Sequence, residues 1–129
     1  MTKIFFTVEE ANRLLPTLIP ILEALKEAEK SLRKTRKVAS ALAHKADGNG
    51  GGKEGSQLLL RHYFPFQSLL QKIESFGVLV KNIESGLIDF PYWREGREIY
   101  LCWEFGESGI RYWHEVETGY AGRQPIDTL

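Results

Sequence analysis

Cysteine occurs once in this chain, at Cys102. A lone thiol excludes an internal disulfide framework and a cysteine-rich zinc site. Charge of either sign is not in excess: 17 Lys plus Arg stand against 17 Asp plus Glu. That balance argues against a general nucleic-acid binder, which gains affinity by neutralising phosphates. No stretch approaches the ~18 uninterrupted apolar residues of a membrane helix, so no membrane association is expected. The N-terminus, MTKIFFTVEE, turns acidic where a signal peptide would turn apolar, and a cytoplasmic location is the expectation. What is present is ordinary globular material: 129 residues, 43% hydrophobic and 26% charged, suited to a single domain over 1–129.

The first 87 residues carry helical periodicity. Thr7, Val8, Glu9, Glu10 reads as a capping box, with Phe6 and Ala11 placed for a hydrophobic staple. From there Leu15, Leu18, Leu22, Leu25 and Leu32 recur at three- and four-residue steps. Pro16 and Pro20 each remove a helical donor; because the leucine stripe keeps its phase through them, a bent but continuous helix is expected to about Ala46. Residues 47–56, DGNGGGKEGS, contain five glycines and no apolar anchor, and read as a flexible tip. A second stripe, from Leu59 through His62, Phe66, Leu69, Ile73, Phe76, Val80 and Ile83 to Leu87, predicts the other half of a helical hairpin spanning 7–87, with Gly86 as its stop. Pro65 leaves the start of that helix open, and His62 reads as a packed seam residue.

Residues 88–116 change period to two. Turn signals at Arg94-Glu95-Gly96-Arg97 and Gly106-Glu107-Ser108-Gly109 divide them into three strands. Two-residue loops at both would set Phe90 opposite Leu101, and Leu101 opposite His114. One face then carries Ile88, Phe90, Ile99, Leu101, Trp103 and His114. A longer, bulged loop at 107–109 would exchange the faces of the third strand. The expected fold is α+β: a long antiparallel helical hairpin packed on a three-stranded antiparallel β-meander, with a C-terminal loop over 117–129.

Candidate chemistry falls on the sheet and tail. On the face without a helical cover, Asp89, Cys102 and Trp113 line up across the strands, Glu104 faces Arg111, and Trp93 and Tyr100 lie beside them. Large aromatics on an uncovered face point to an interface or ligand. Cys102 as a nucleophile would need a histidine, which this register sends to the opposite face. His114, with Glu117 beyond the strand, makes a divalent metal possible but incomplete, and no cofactor is expected. Arg123, bracketed by Gly119 and Gly122, presents a guanidinium and backbone amides suited to a small anionic ligand. Six basic residues between 26 and 37, against Glu27 and Glu29, spread round their helix as a solvated face, so nucleic acid is not the expected partner.

The segments FTVEEANRLLP (6–16), GLIDFP (86–91), LCWEFGESGIRYWHE (101–115) and GYAGRQPI (119–126) resemble those of a bacterial family catalogued as domain of unknown function 2203. The resemblance implies a small, cytoplasmic bacterial protein with no established activity, and it brings no catalytic residues. Two functional readings remain side by side. One is a non-enzymatic binding or assembly module, a homodimer formed through the sheet face or the helices. The other is a metal- or anion-binding enzyme or sensor built around His114, Glu104, Glu117 and Arg123.

Overall fold

The computed structural model describes residues 3–46 and 51–129. Thr7 opens α1 (Val8–Ala46) with the expected capping box: its hydroxyl accepts from the Glu10 amide at 3.1 Å, and the Glu10 carboxylate accepts from the Thr7 amide at 2.9 Å. That backbone amide and the Thr7 hydroxyl hold the Glu10 carboxyl below its ordinary pKa. The helix runs through Pro16 and Pro20 unbroken. The carbonyls that lose a donor, those of Asn12 and Pro16, belong to solvent-exposed residues, where water can replace it.

The second helix, α2, spans Gly51–Glu74. The expected flexible tip therefore fails over 51–56, which are helical, while 47–50 lie outside the described residues. Gly55 shows why glycine is tolerated there. A Cβ on it would sit 3.0 Å from the Ala39 carbonyl oxygen and 3.2 Å from the Ala39 Cα, so the two helices approach more closely than a side chain permits.

The helical reading to Leu87 is also corrected. Gly77, with φ of 90°, ends α2, its amide donating to the Glu74 carbonyl at 2.9 Å. Val78, Leu79 and Val80 then begin an extended segment, and β1 covers Leu79–Asn82. Gly86, expected as a helix stop, instead takes φ of 71° ahead of β2 and packs against Phe105.

The sheet has five antiparallel strands rather than three, ordered as in sequence. After β1 come β2 (Leu87–Arg94), β3 (Arg97–Glu104), β4 (Tyr112–Glu115) and β5 (Gln124–Pro125). The β2–β3 register is the expected one, with Tyr92 opposite Ile99, Phe90 opposite Leu101 and Ile88 opposite Trp103. Its turn places Glu95 and Gly96 at φ of 45° and 85°, the positive pair that a tight hairpin favours. The tail expected as loop supplies β5, which pairs with Tyr112 and Trp113.

The third meander strand is shifted by one residue. Leu101 faces Trp113, not His114, and Tyr100 faces His114. The connection from Gly106 to Arg111 causes the shift. Ile110 is buried and its amide donates to Asn12 Oδ1 at 2.8 Å, which anchors the segment to α1. The Trp103 indole donates to the Glu107 carbonyl at 3.1 Å and holds the front of the turn. Between these anchors the chain is irregular, and it rejoins the ladder out of phase. Ile110 and Trp113, three apart, both enter the core.

That core joins one face of the sheet to Ala11, Leu15, Leu18, Leu22 and Leu25 of α1 and to Phe66, Leu69 and Ile73 of α2. Beyond Leu25 and before Phe66 the sheet no longer contributes. There the two helices form an arm: residues 26–46 alone extend ~32 Å at ~1.5 Å per residue. Its buried seam among the described residues is thin, with Leu32, Thr35, Ala39 and Gly55.

Candidate functional site

Period-two alternation in β2 and β3 sends Asp89 and Cys102 to the face away from the helices, and the one-residue shift of β4 sends His114 there too. Asp89 and Cys102 are opposite one another, and His114 follows Tyr112, which faces Cys102. One Asp89 carboxylate oxygen, the Cys102 sulfur and one His114 ring nitrogen all lie within 4.8 Å of one another. All three side chains are buried, Cys102 at 0% exposure, Asp89 at 1% and His114 at 2%. The expectation that Cys102 and His114 occupy opposite faces is thus overturned.

His114 is oriented from both ends. Its Nδ1 lies 2.7 Å from the Glu115 carbonyl oxygen, which can only accept, so Nδ1 carries a proton. Its Nε2 lies 3.1 Å from Asp89 Oδ2. Burial alone would lower the histidine pKa, but the bonds to Asp89 and to the Glu115 carbonyl outweigh it, and the net direction is upward. The other carboxylate oxygen, Asp89 Oδ1, is buried with no hydrogen-bond partner. An orphaned buried acceptor costs about 1–3 kcal/mol, so the site carries unused acceptor capacity.

The setting of Cys102 disfavours a nucleophilic thiolate. Burial first, then the nearby Asp89 charge, push its thiol up to about 12. The histidine is engaged with the carboxylate and the backbone, not with the sulfur. A thiol held protonated, beside a fully occupied imidazole, lacks the activating base of nucleophilic catalysis.

The tail closes over this face. The Arg123 guanidinium donates to Glu107 Oε1 at 2.6 Å and to the Cys102 carbonyl at 3.3 Å, and lies over the rings of Tyr112 and Tyr120 at 4.2 and 4.7 Å. Burial would lower its pKa, but the Glu107 bond more than reverses that. The guanidinium expected to meet an anionic ligand is therefore already paired with a carboxylate of its own chain. Lys81 lies over the Tyr100 ring at 4.9 Å, and the Tyr100 ring meets His114 edge-on at 5.6 Å.

The other expected residues scatter. Trp113 is a correction: with its face exchanged it is 2% exposed, packed in the core, and its indole donates to Thr128 Oγ1 at 3.0 Å. The Glu104–Arg111 pair does not form in the shifted register; Arg111 reaches Ser108 Oγ at 3.4 Å, and the Glu104 carboxylate accepts from the Tyr120 hydroxyl at 3.5 Å. Glu117 is exposed beyond β4 and outside the group that His114 joins. Trp93 alone of the three aromatics remains open, 57% exposed and edge-on to Phe5 at 5.5 Å.

Strict alternation through the 106–111 connection hides the juxtaposition of Asp89, Cys102 and His114. Ile110 and Trp113 held the signal: two large apolar residues three apart cannot share one face of an uninterrupted strand.

A family model described as Uncharacterized conserved protein (DUF2203) matches residues 4–126. The chain belongs to that family. The match takes in every strand of this DUF2203 sheet and both described helices. Comparison with curated proteins and with solved structures returned no match for it.

Proposed function

We propose that this chain is a non-enzymatic assembly module that pairs with a second copy of itself through the helical arm. One observation carries the reading. Leu60, Tyr63 and Phe64, adjacent on the outer side of α2, are 50%, 38% and 61% exposed. They lie in the part of the hairpin beyond the sheet, where a two-helix arm has no third layer to cover it. The Tyr63 ring lies 6.3 Å from that of Phe64 and 6.2 Å from that of Phe66, so the apolar surface is contiguous.

Two such arms laid antiparallel bury these faces as a four-helix bundle, the standard solution for amphipathic hairpins. A symmetric contact uses the same patch on both copies, so each apolar residue counts twice. The sheet face is the weaker candidate, because Tyr100, Cys102 and His114 are buried within the chain and Trp113 belongs to the core. A protonated Cys102 is consistent with a role that is not catalytic.

Light scattering on the eluting protein tests this reading. The wild-type chain should run as a dimer and Phe64→Glu as a monomer with an unchanged far-ultraviolet circular dichroism spectrum. A dimer indifferent to Phe64→Glu and to Leu60→Glu would place assembly elsewhere and sink the reading.

A further inference from the structure

We propose that Asp89, Cys102 and His114 form a binding site for a divalent transition metal of the zinc type. The proposal is independent of the self-association above, since none of the three residues lies on the arm.

The donor set comes first. A thiolate, an imidazole and a carboxylate, one of each, suit a borderline-soft ion such as zinc or cobalt(II), and not magnesium or calcium, which take oxygen. Three protein ligands leave a fourth tetrahedral position for water. Their donor atoms already converge within 4.8 Å, from three neighbouring strands whose registers are set by backbone pairing.

Two further features fit a ligating role. The Glu115 carbonyl takes the Nδ1 proton of His114 at 2.7 Å, and this leaves Nε2 as the nitrogen directed at Asp89. A metal-bound histidine is commonly oriented by such a backbone acceptor on its other nitrogen. Independently, Asp89 Oδ1 is fully buried beside the sulfur and the imidazole with no hydrogen-bond partner. Among the described residues, the only donor beside that oxygen is the weakly donating Cys102 thiol, and a cation would satisfy a buried carboxylate oxygen better.

Coordination balances as an exchange of protons for the ion. The metal takes the Cys102 sulfur and His114 Nε2; the thiol proton and the Nε2 proton leave to solvent, and Asp89 turns its carboxylate from the imidazole to the metal. Thiolate and carboxylate then offset the two positive charges of the ion. Three cations face this side of the sheet: Lys3 is paired with Glu98, Lys81 lies over the Tyr100 ring, and Arg123 is paired with Glu107 while also sitting against Cys102, where its charge favours the thiolate that a metal would bind. Arg123, which bonds the Cys102 carbonyl, is the tail residue that an entering ion would meet beside Cys102.

Cobalt(II) titration of the metal-free 129-residue chain is the test. Since Cys102 is the only cysteine, a thiolate-to-cobalt charge-transfer band in the near ultraviolet can come from this site alone. The expected result is one equivalent of cobalt, with that band and tetrahedral visible absorption, both displaced by one equivalent of zinc. Cys102→Ser should abolish the charge-transfer band, and His114→Gln should weaken binding by at least about 100-fold. Folded wild-type protein that shows no charge-transfer band, or that binds cobalt without one, overturns the proposal. That outcome needs no variant, so it stands even if Cys102→Ser or His114→Gln fails to fold.

Discussion

Replacing Trp113 by alanine distinguishes the observed β4 register from the one that simple alternation suggests. In the observed register the indole is 2% exposed and packs with Leu101 and the helix-facing core. A tryptophan of ~200 Å² buried at ~25 cal/mol per Å² corresponds to ~5 kcal/mol as an upper bound. A compact unfolded state lowers that by ~10–40%, and the cavity left behind raises it again. The indole bond to Thr128 Oγ1 adds little, because that exposed hydroxyl also donates to the Pro125 carbonyl at 2.6 Å. About 4 kcal/mol remains. A chain of this length is stable by ~6–19 kcal/mol, so the loss is a large share of the total. With ~2.1 cal/mol/K of unfolding entropy per residue, the melting temperature should fall by ~15 °C. Urea denaturation of Trp113→Ala, followed by circular dichroism, measures this directly. If the variant loses less than ~1 kcal/mol, as surface substitutions do, the indole faces solvent and the register derived above is wrong.

Further expectations follow from individual contacts. Phe64→Ala removes ~110 Å² of exposed apolar surface from each arm, worth ~2.7 kcal/mol per copy, and sedimentation should show a dimer weakened at least ~100-fold with unaltered monomer stability. Asn12→Ala strips the buried Ile110 amide of its acceptor and should cost ~1–3 kcal/mol in chemical denaturation. Gly55→Leu meets the Ala39 backbone at 3.0 Å, so it should lower the melting temperature even though leucine is the better helix former. The Glu10 carboxyl is held low by the Thr7 amide and hydroxyl, and the Glu115 carboxyl by Arg97. Both contributions are present above the ordinary carboxylate value of ~4.3 and vanish as pH falls through the depressed ones. Stability measured from pH 5 to pH 2 should therefore fall less steeply in Glu10→Gln than in wild type.

Local signals read well wherever a single physical rule governed the outcome. The Thr7–Glu10 capping box, the leucine stripe of α1 and the Glu95-Gly96 hairpin all appear as their residues imply. The second stripe misled from Phe76 onward: Phe76, Val80 and Ile83 keep helical spacing, yet they pack on the core from a turn, a strand and its following loop. Gly77 and the β-branched Val78 and Val80 outweighed that spacing. Asp89 and Cys102 were legible as neighbours on one face, because the β2–β3 register depends only on a two-residue turn. The arrival of His114 depended on a tertiary contact between Ile110 and Asn12, 98 residues apart, which no local pattern encodes. Closure of that face by Arg123 was equally hidden, since β5 exists only as a partner of β4.

The central claim, assembly through the arm, rests on Leu60, Tyr63 and Phe64 finding a second copy of the same surface. Light scattering of the wild-type chain across a dilution series measures it most directly. The account predicts a mass of twice the 14.8 kDa chain that falls toward a single chain on dilution, and a single-chain mass at every concentration for Phe64→Glu. A wild-type protein that stays at 14.8 kDa at the highest concentration reached would contradict it.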